Sequence, residues 1–338
     1  MESEPLVVNG IKIQENPSLN LKRAEMAKVE EQMIEYEESN HYNKGLKLAI
    51  DSIARFPENP TITYSWTALF YVLLGKNKKS LQILAEGLTK GAVWSTTFLE
   101  EGFQGLKDHP RFLDILELSR KRFNHEKEKI RAELLVRTPK SYTTSKKYPL
   151  LLVFHGRFDS NAANDIRCRN IIKQKDIFLA LLQSTQMQSR NHFVWDDENK
   201  ALEDLERALP VLVERYPIDA SKIILAGVSQ GSEMALVALF SSFVTATKFI
   251  SVIPSFGGFS YQLTEEDSLR SKKGRVRGCF IVGERDPRFN RTKSFYELLR
   301  KNGIECKLFS FPELGHQIPD DFDQVLIKAV DFVLNEKL

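Results

Sequence analysis

From about residue 130 onwards the chain repeats one pattern: a short apolar run, a polar turn, then an amphipathic stretch. The runs are RAELLVRTP (131–139), YPLLLVFHG (148–156), DIFLALL (176–182), KIILAGV (222–228), KFISVIPSF (248–256), GCFIVGE (278–284) and ECKLFSF (305–311). Several are almost continuously apolar. A strand with one face in water alternates polar and apolar residues, whereas a strand covered on both faces does not. Between the runs, ALEDLERALPVLVERY (201–216), SEMALVALFSSF (232–243), TKSFYELLRKN (292–302) and DFDQVLIKAVDFVLNE (321–336) read as helices, with apolar positions three and four residues apart. This alternation predicts an α/β fold over residues 126–338, a mostly parallel sheet flanked by helices.

The preceding part of the chain has a different period. Residues 20–125 read as helices throughout, with segments near 20–39, 43–56, 61–75, 77–90 and 111–130. Residues 40–57 and 75–91 align at an offset of 35, placing Leu46 on Leu81 and Ile53 on Leu88. Trp66 and Ala68 suit the first helix of a repeat and Gly75 its turn, while Asn77 stands where an aromatic is usual. The region resembles a degenerate tetratricopeptide array, an all-α domain. Two units are fewer than a free-standing solenoid needs. The domain is therefore expected either to pack within the molecule as a cap or to dock a protein partner, and both readings stay open. Residues 1–19 are read as an N-terminal extension, and KRFNHEKEKIR (121–131) as a solvated helix.

Composition excludes several classes. The 338 residues are 42% hydrophobic and 28% charged, with a net charge of +3. No basic patch of the kind that binds nucleic acid stands out. No basic leader precedes an apolar segment, and no run approaches the length needed to span a membrane. Three cysteines without CxxC spacing give neither a disulfide framework nor a zinc site. A cytoplasmic location is the expectation.

One motif carries chemistry. In GVSQG (227–231) a serine follows the apolar run ending at Val228 and precedes a helical stretch. A strand that turns sharply into a helix through such a sequence exposes the serine hydroxyl at the sheet edge, and the flanking glycines permit the close approach. A hydroxyl needs a base within hydrogen-bond reach and a carboxylate to orient that base. Downstream of Ser229, Asp286 lies just beyond GCFIVGE, and His316 lies in the loop after ECKLFSF. Glu284 and Glu313 compete with Asp286 for the acid's place. Backbone N–H donors for an oxyanion are expected from Gln230, and from Arg157 or Gly156 after LLLVFHG. His155 is read as a structural side chain. Trp195 and Gln183, close to strand ends, are candidates for a substrate pocket.

These pieces together resemble a known family. HG at 155–156, LLQSTQ (181–186), FVWDD (193–197), PIDASKIILAGVSQG (217–231), GERDP (283–287) and LGHQIPDDF (314–322) are similar to the α/β-hydrolase superfamily. The likeness is strongest to its phospholipase/carboxylesterase and dienelactone-hydrolase-like esterases. It implies a metal-free, cofactor-free serine hydrolase acting on a small or medium ester through an acyl-enzyme, with Ser229, Asp286 and His316 as its triad. Amide or thioester cleavage, or a non-catalytic helical-repeat scaffold, are the alternatives. The inserts 157–175 and 257–277 are short, so no large lid is expected.

Overall fold

The structure is a computed structural model and describes residues 6–18, 21–241, 243–257 and 275–334. These divide into two compact units: one of residues 1–18, 131–186 and 193–338, the other of residues 19–130 and 187–192.

The first unit is built on a nine-stranded sheet. Its strands are β1 (Leu6–Val8), β2 (Ile11–Glu15), β3 (Glu133–Arg137), β4 (Tyr148–Phe154), β5 (Phe178–Gln183), β8 (Ile218–Val228), β9 (Lys248–Val252), β10 (Arg277–Gly283) and β11 (Glu305–Phe311), in the order β1-β2-β3-β5-β4-β8-β9-β10-β11. From β5 through β4, β8, β9 and β10 to β11 every pairing is parallel. Their carboxyl ends therefore lie along one edge. Side chains of successive residues leave opposite faces, and both faces are filled here. Leu150, Leu152 and Phe154 of β4 enter one core, while Leu151 and Val153 enter the other. Helices α9 (Glu198–Arg215) and α10 (Gln230–Phe240) supply the first core, and α12 (Phe322–Leu334) the second. The continuous apolar runs thus have the cause that the sequence suggested, burial on both sides.

Within the expected N-terminal extension, residues 6–15 join the sheet. Asn9 and Gly10, both at positive φ, close a two-residue turn between β1 and β2, the hairpin geometry that Asn-Gly favours. Strand β2 then pairs in parallel with β3, and Ile11 and Ile13 are buried in the sheet's core. The segment VVNGIKI is too short for its alternation to stand out from a polar leader, but its Asn-Gly turn was the available signal.

The second unit consists of α1 (Leu21–Glu38), α2 (Tyr42–Arg55), α3 (Pro60–Leu73), α4 (Asn77–Thr89), α5 (Thr96–Gly102) and α6 (Pro110–Lys127). Five were anticipated within a few residues. The short α5 was not, although Ser95 marks its start by accepting a hydrogen bond from the Phe98 N–H at 2.9 Å. Leu46 and Leu81, aligned in sequence, are both buried, as is Leu88. Residues 187–192 follow β5 in sequence yet belong to this unit. The Ser95 N–H donates to Gln188 O at 2.6 Å, the Arg190 N–H to Val93 O at 3.1 Å, and Trp94 bridges Ser189 in antiparallel fashion. Strands β6 (Met187–Ser189) and β7 (His192–Phe193) form the hairpin that makes these contacts. No helix among the described residues is long and apolar enough to cross a membrane.

The buried side chain of β2 gives a direct check. Ile13→Ala should lower the unfolding free energy by about 2–4 kcal/mol, the usual cost of emptying a buried aliphatic site. Urea denaturation measures it; an unchanged midpoint would mean that β2 is a dispensable tail.

Candidate active site

Ser229 connects β8 to α10 with φ 52° and ψ −115°, a backbone conformation that costs a non-glycine residue of order 1–3 kcal/mol. Its neighbours make it possible. A Cβ on Gly227 would stand 2.2 Å from the carbonyl carbon and oxygen of Gly231, and one on Gly231 would stand 2.2 Å from His155 O and 2.4 Å from Phe154 O. Only hydrogen fits at either position. The two glycines let α10 turn back against β8 and pack on the end of β4. The Ser229 N–H donates to Val252 O at 2.9 Å, and its carbonyl accepts from the Ser232 N–H at 3.1 Å.

Two loops bring the remaining groups. Gly283 ends β10, and a Cβ there would lie 2.1 Å from Leu314 O and 2.4 Å from Gly315 O. The loop after β11 therefore crosses directly over it. Two backbone bonds zip the loops together, from the Glu284 N–H to Phe311 O and from the Arg285 N–H to Leu314 O, each 2.9 Å. As a result His316 meets both neighbours: its Nε2 lies 3.0 Å from Ser229 Oγ and its Nδ1 2.6 Å from Asp286 Oδ2. The Asp286 side chain is fully enclosed, and that of His316 is one-fifth exposed. Burial pushes the Asp286 carboxyl up, but the hydrogen bonds from His316 and from the Arg288 N–H, with the Arg288 charge, outweigh it and hold the carboxyl below its usual value. An ionised Asp286 can only accept. The imidazole proton then sits on Nδ1, leaving Nε2 to accept the serine proton. The rival acids point elsewhere: Glu284 accepts from Ser310 Oγ, Glu313 pairs with Arg285, and both are exposed.

The loop after β4 is equally constrained. His155 is completely buried, and its Nε2 faces two donors, Gln183 Nε2 at 2.9 Å and the Ser184 N–H at 3.2 Å. Nε2 must therefore be the acceptor, and Nδ1–H donates to Gly156 O at 2.7 Å. In a trans peptide the carbonyl and the next N–H point in opposite directions. The Arg157 N–H is thereby turned away from the imidazole. Burial pushes the His155 pKa down to about 4, ahead of the opposing pull of Asp159 and Gly156 O, so the ring is neutral at ordinary pH.

Gln230 opens α10, where the first N–H groups have no partner within the helix. Its side chain accepts from the Trp195 N–H at 2.9 Å and donates to Asp196 at 2.7 Å. Asp196 also pairs with the Arg157 guanidinium at 3.4 Å. It thus ties together the two residues expected to donate to an oxyanion, a role that FVWDD did not reveal because its partners are 34 and 39 residues away.

The two residues expected to line a pocket are both buried. Trp195 has no exposed surface; its indole N–H donates to His155 O at 2.8 Å and its ring stacks on the imidazole with centroids 4.7 Å apart. Gln183 is buried too, accepting from the Asn161 N–H at 3.0 Å. Both are buried and hydrogen-bond to His155 in the loop after β4. Their position near strand ends was legible in the sequence, whereas the side to which they turn depends on His155. Of the insert 257–277, residues 258–274 lie outside the described residues.

The neutral, buried His155 makes stability depend on pH. Its pKa in the fold lies below the unfolded value near 6.5, so its contribution is complete above pH 6.5 and is lost as pH falls towards 4. A depression of this size is worth about 3 kcal/mol. Urea unfolding of the wild type and of His155→Gln at pH 7 and pH 4 should show their stability difference narrowing by roughly that amount; a pH-independent difference would mean that the ring titrates in the fold as it does in the unfolded chain.

Comparison with known proteins agrees with this architecture. The phospholipase/carboxylesterase family model matches residues 187–334. An uncharacterised protein from Bacillus cereus ATCC 10987 is 22% identical, covering 92% of this chain and 99% of its own, with a TM-score of 0.52. A ferulic acid esterase is 16% identical, covering 62% of this chain and 94% of its own, with a TM-score of 0.50. No curated protein matches by sequence. The chain has an α/β-hydrolase fold, is similar to the phospholipase/carboxylesterases over residues 187–334, and carries an all-helical unit whose helices lie within residues 21–127.

Proposed function

We propose that the protein is a serine hydrolase that cleaves small or medium carboxylic esters through an acyl-enzyme. The observation that carries this reading is the continuous hydrogen-bonded chain from Ser229 through His316 to Asp286, at the carboxyl ends of adjoining parallel strands. Ser229 Oγ attacks the ester carbonyl carbon while His316 Nε2 takes its proton; Asp286 holds the imidazolium that forms. The carbonyl oxygen, now negative, is met by the N–H groups of Gln230 and of Arg157, the latter aimed by the bond between His155 and Gly156 O. On collapse the alcohol leaves with the proton from His316. A water then attacks the acyl carbon, His316 accepting its proton, and the carboxylic acid is released from Ser229. Every step uses groups of this chain and water alone. The family likeness to phospholipase/carboxylesterases favours an ester over an amide.

Purified protein should hydrolyse p-nitrophenyl acetate or butyrate and be labelled by a fluorophosphonate probe. Ser229→Ala should lose turnover by roughly 10⁴-fold or more while remaining folded; full activity in that variant would refute the assignment. Matched ester, thioester and amide substrates compared by kcat/KM test the bond preference. Gly283→Ala provides a second check away from the reacting atoms. Its Cβ must displace the Leu314–Gly315 backbone, and an ångström of misplacement at His316 should lower kcat by about 100-fold.

A further inference from the structure

Strain in this backbone is concentrated at one place. Among the described residues, eight other than glycine have positive φ: Asn9, Asn16, Asn40 and Asn191, then Phe158, Ser229, Ile253 and Phe256. Asparagine tolerates the left-handed region, whereas a β-branched or bulky residue there is a genuine outlier. The four that are not asparagine all follow the carboxyl ends of β4, β8 and β9. Phe158 and Ser229 belong to the loop and elbow already described. Ile253 at φ 41° and Phe256 at φ 45° belong to the turn after β9, which neither the sequence motifs nor the proposed mechanism uses.

That turn grips the elbow. Val252 O, where β9 ends, accepts the Ser229 N–H at 2.9 Å, and the Ser255 N–H reaches Ser229 O at 3.4 Å. Both sides of the Ser229 backbone are thus held by the same few residues. Such a turn persists only if its surroundings over-determine it. One anchor is the Ile253 N–H bond to Ile281 O at 2.7 Å. The other is a carboxylate. Glu233, in the first turn of α10 and only 1% exposed, accepts from Ser255 Oγ and from the Gly257 N–H, each at 2.9 Å. Its own N–H donates to Ser229 O at 3.3 Å. A buried side-chain oxygen that accepts two hydrogen bonds from one turn fastens that turn to α10. Replacing the carboxylate by a methyl would take the acceptor from both donors, Ser255 Oγ and the Gly257 N–H.

We infer that Glu233 is a positioning residue for the nucleophile: through Ser255 and Gly257 it fixes the 253–257 turn, and the turn holds Ser229 in its strained conformation. This rests on Ser229 being the nucleophile, as proposed above. Substrate touches neither Glu233 nor its bonds in this scheme. Loss of the carboxylate should therefore slow attack by the hydroxyl while leaving ground-state binding nearly intact.

The test compares wild type, Glu233→Ala, Glu233→Gln and Ser255→Ala by kcat and KM on p-nitrophenyl butyrate, by the rate of fluorophosphonate labelling, and by amide hydrogen exchange at Ser229 and Ser255. Glu233→Ala should lower kcat and the labelling rate together by about 10- to 100-fold, the scale of a misplaced reacting group, with KM within about threefold of wild type, as expected when only the transition state is affected. Glu233→Gln keeps an acceptor oxygen and should recover part of the loss. Exchange at Ser229 and Ser255 should quicken in Glu233→Ala. A folded Glu233→Ala that matches wild type in labelling and exchange overturns the inference. If that variant does not fold, Ser255→Ala decides in the same way, by a slowed or an unchanged labelling rate. If wild type neither hydrolyses the ester nor labels, the functional reading fails instead, and the exchange rates alone decide whether Glu233 holds the elbow.

Discussion

The sheet-bearing unit depends on how closely backbone can approach backbone around Ser229. At Gly227, Gly231 and Gly283 a single methyl group would collide with main-chain atoms at 2.1–2.2 Å. Each contact joins two elements that carry different parts of the site: β8 to α10, α10 to the end of β4, and the end of β10 to the loop after β11. Main-chain atoms cannot move aside as a flexible side chain can. The glycines therefore set the distances among Ser229, the 155–157 loop, Asp286 and His316, and the hydrogen bonds follow from those distances.

Around this frame the polar groups are arranged by burial and by donor count. His155 is neutral because it is enclosed, and its tautomer is dictated by the two donors at Nε2. Asp286 is ionised despite its enclosure because His316 and the Arg288 N–H compensate for the lost water. The loop after β4 has a further fastening in the ion pair of Asp159 with Arg167 at 2.5 Å. There burial pushes the Asp159 carboxyl up, and the Arg167 charge, with hydrogen bonds from the Ser160 N–H and from Arg167, brings it below its usual value. Trp195 fills the space beneath, with one N–H on His155 O and the other on Gln230. Each polar group in this layer supports the next.

The order of the chain adds a constraint that only the folded arrangement reveals. Between β5 and α9 the chain leaves the sheet-bearing unit at residue 187 and rejoins it at residue 193. The intervening residues complete the helical unit through Val93, Trp94 and Ser95. On rejoining, Phe193 pairs with Asp159, Trp195 with Gln230 and Asp196 with both Gln230 and Arg157. A segment that reads as one loop in sequence therefore serves two cores.

By itself the sequence determined the fold class, the sheet strands from residue 131 onwards and the residues that the site brings together. Those properties are local or periodic: apolar runs report burial on both faces, and GVSQG reports a turn that only glycine permits. It also offered Asp286 and His316 as candidates, because each falls just past a strand end on one sheet edge, and the fold brings both within hydrogen-bond reach of one another. It could not decide which way a side chain faces once a long-range partner is present. Trp195 and Gln183 turn under the loop because His155, 40 and 28 residues away, takes their hydrogen bonds. Glu233, Asp196 and the strained 253–257 turn likewise have meaning only through contacts that the linear order does not display. Tertiary structure decided these, because a buried polar group must find its partner wherever the fold places one.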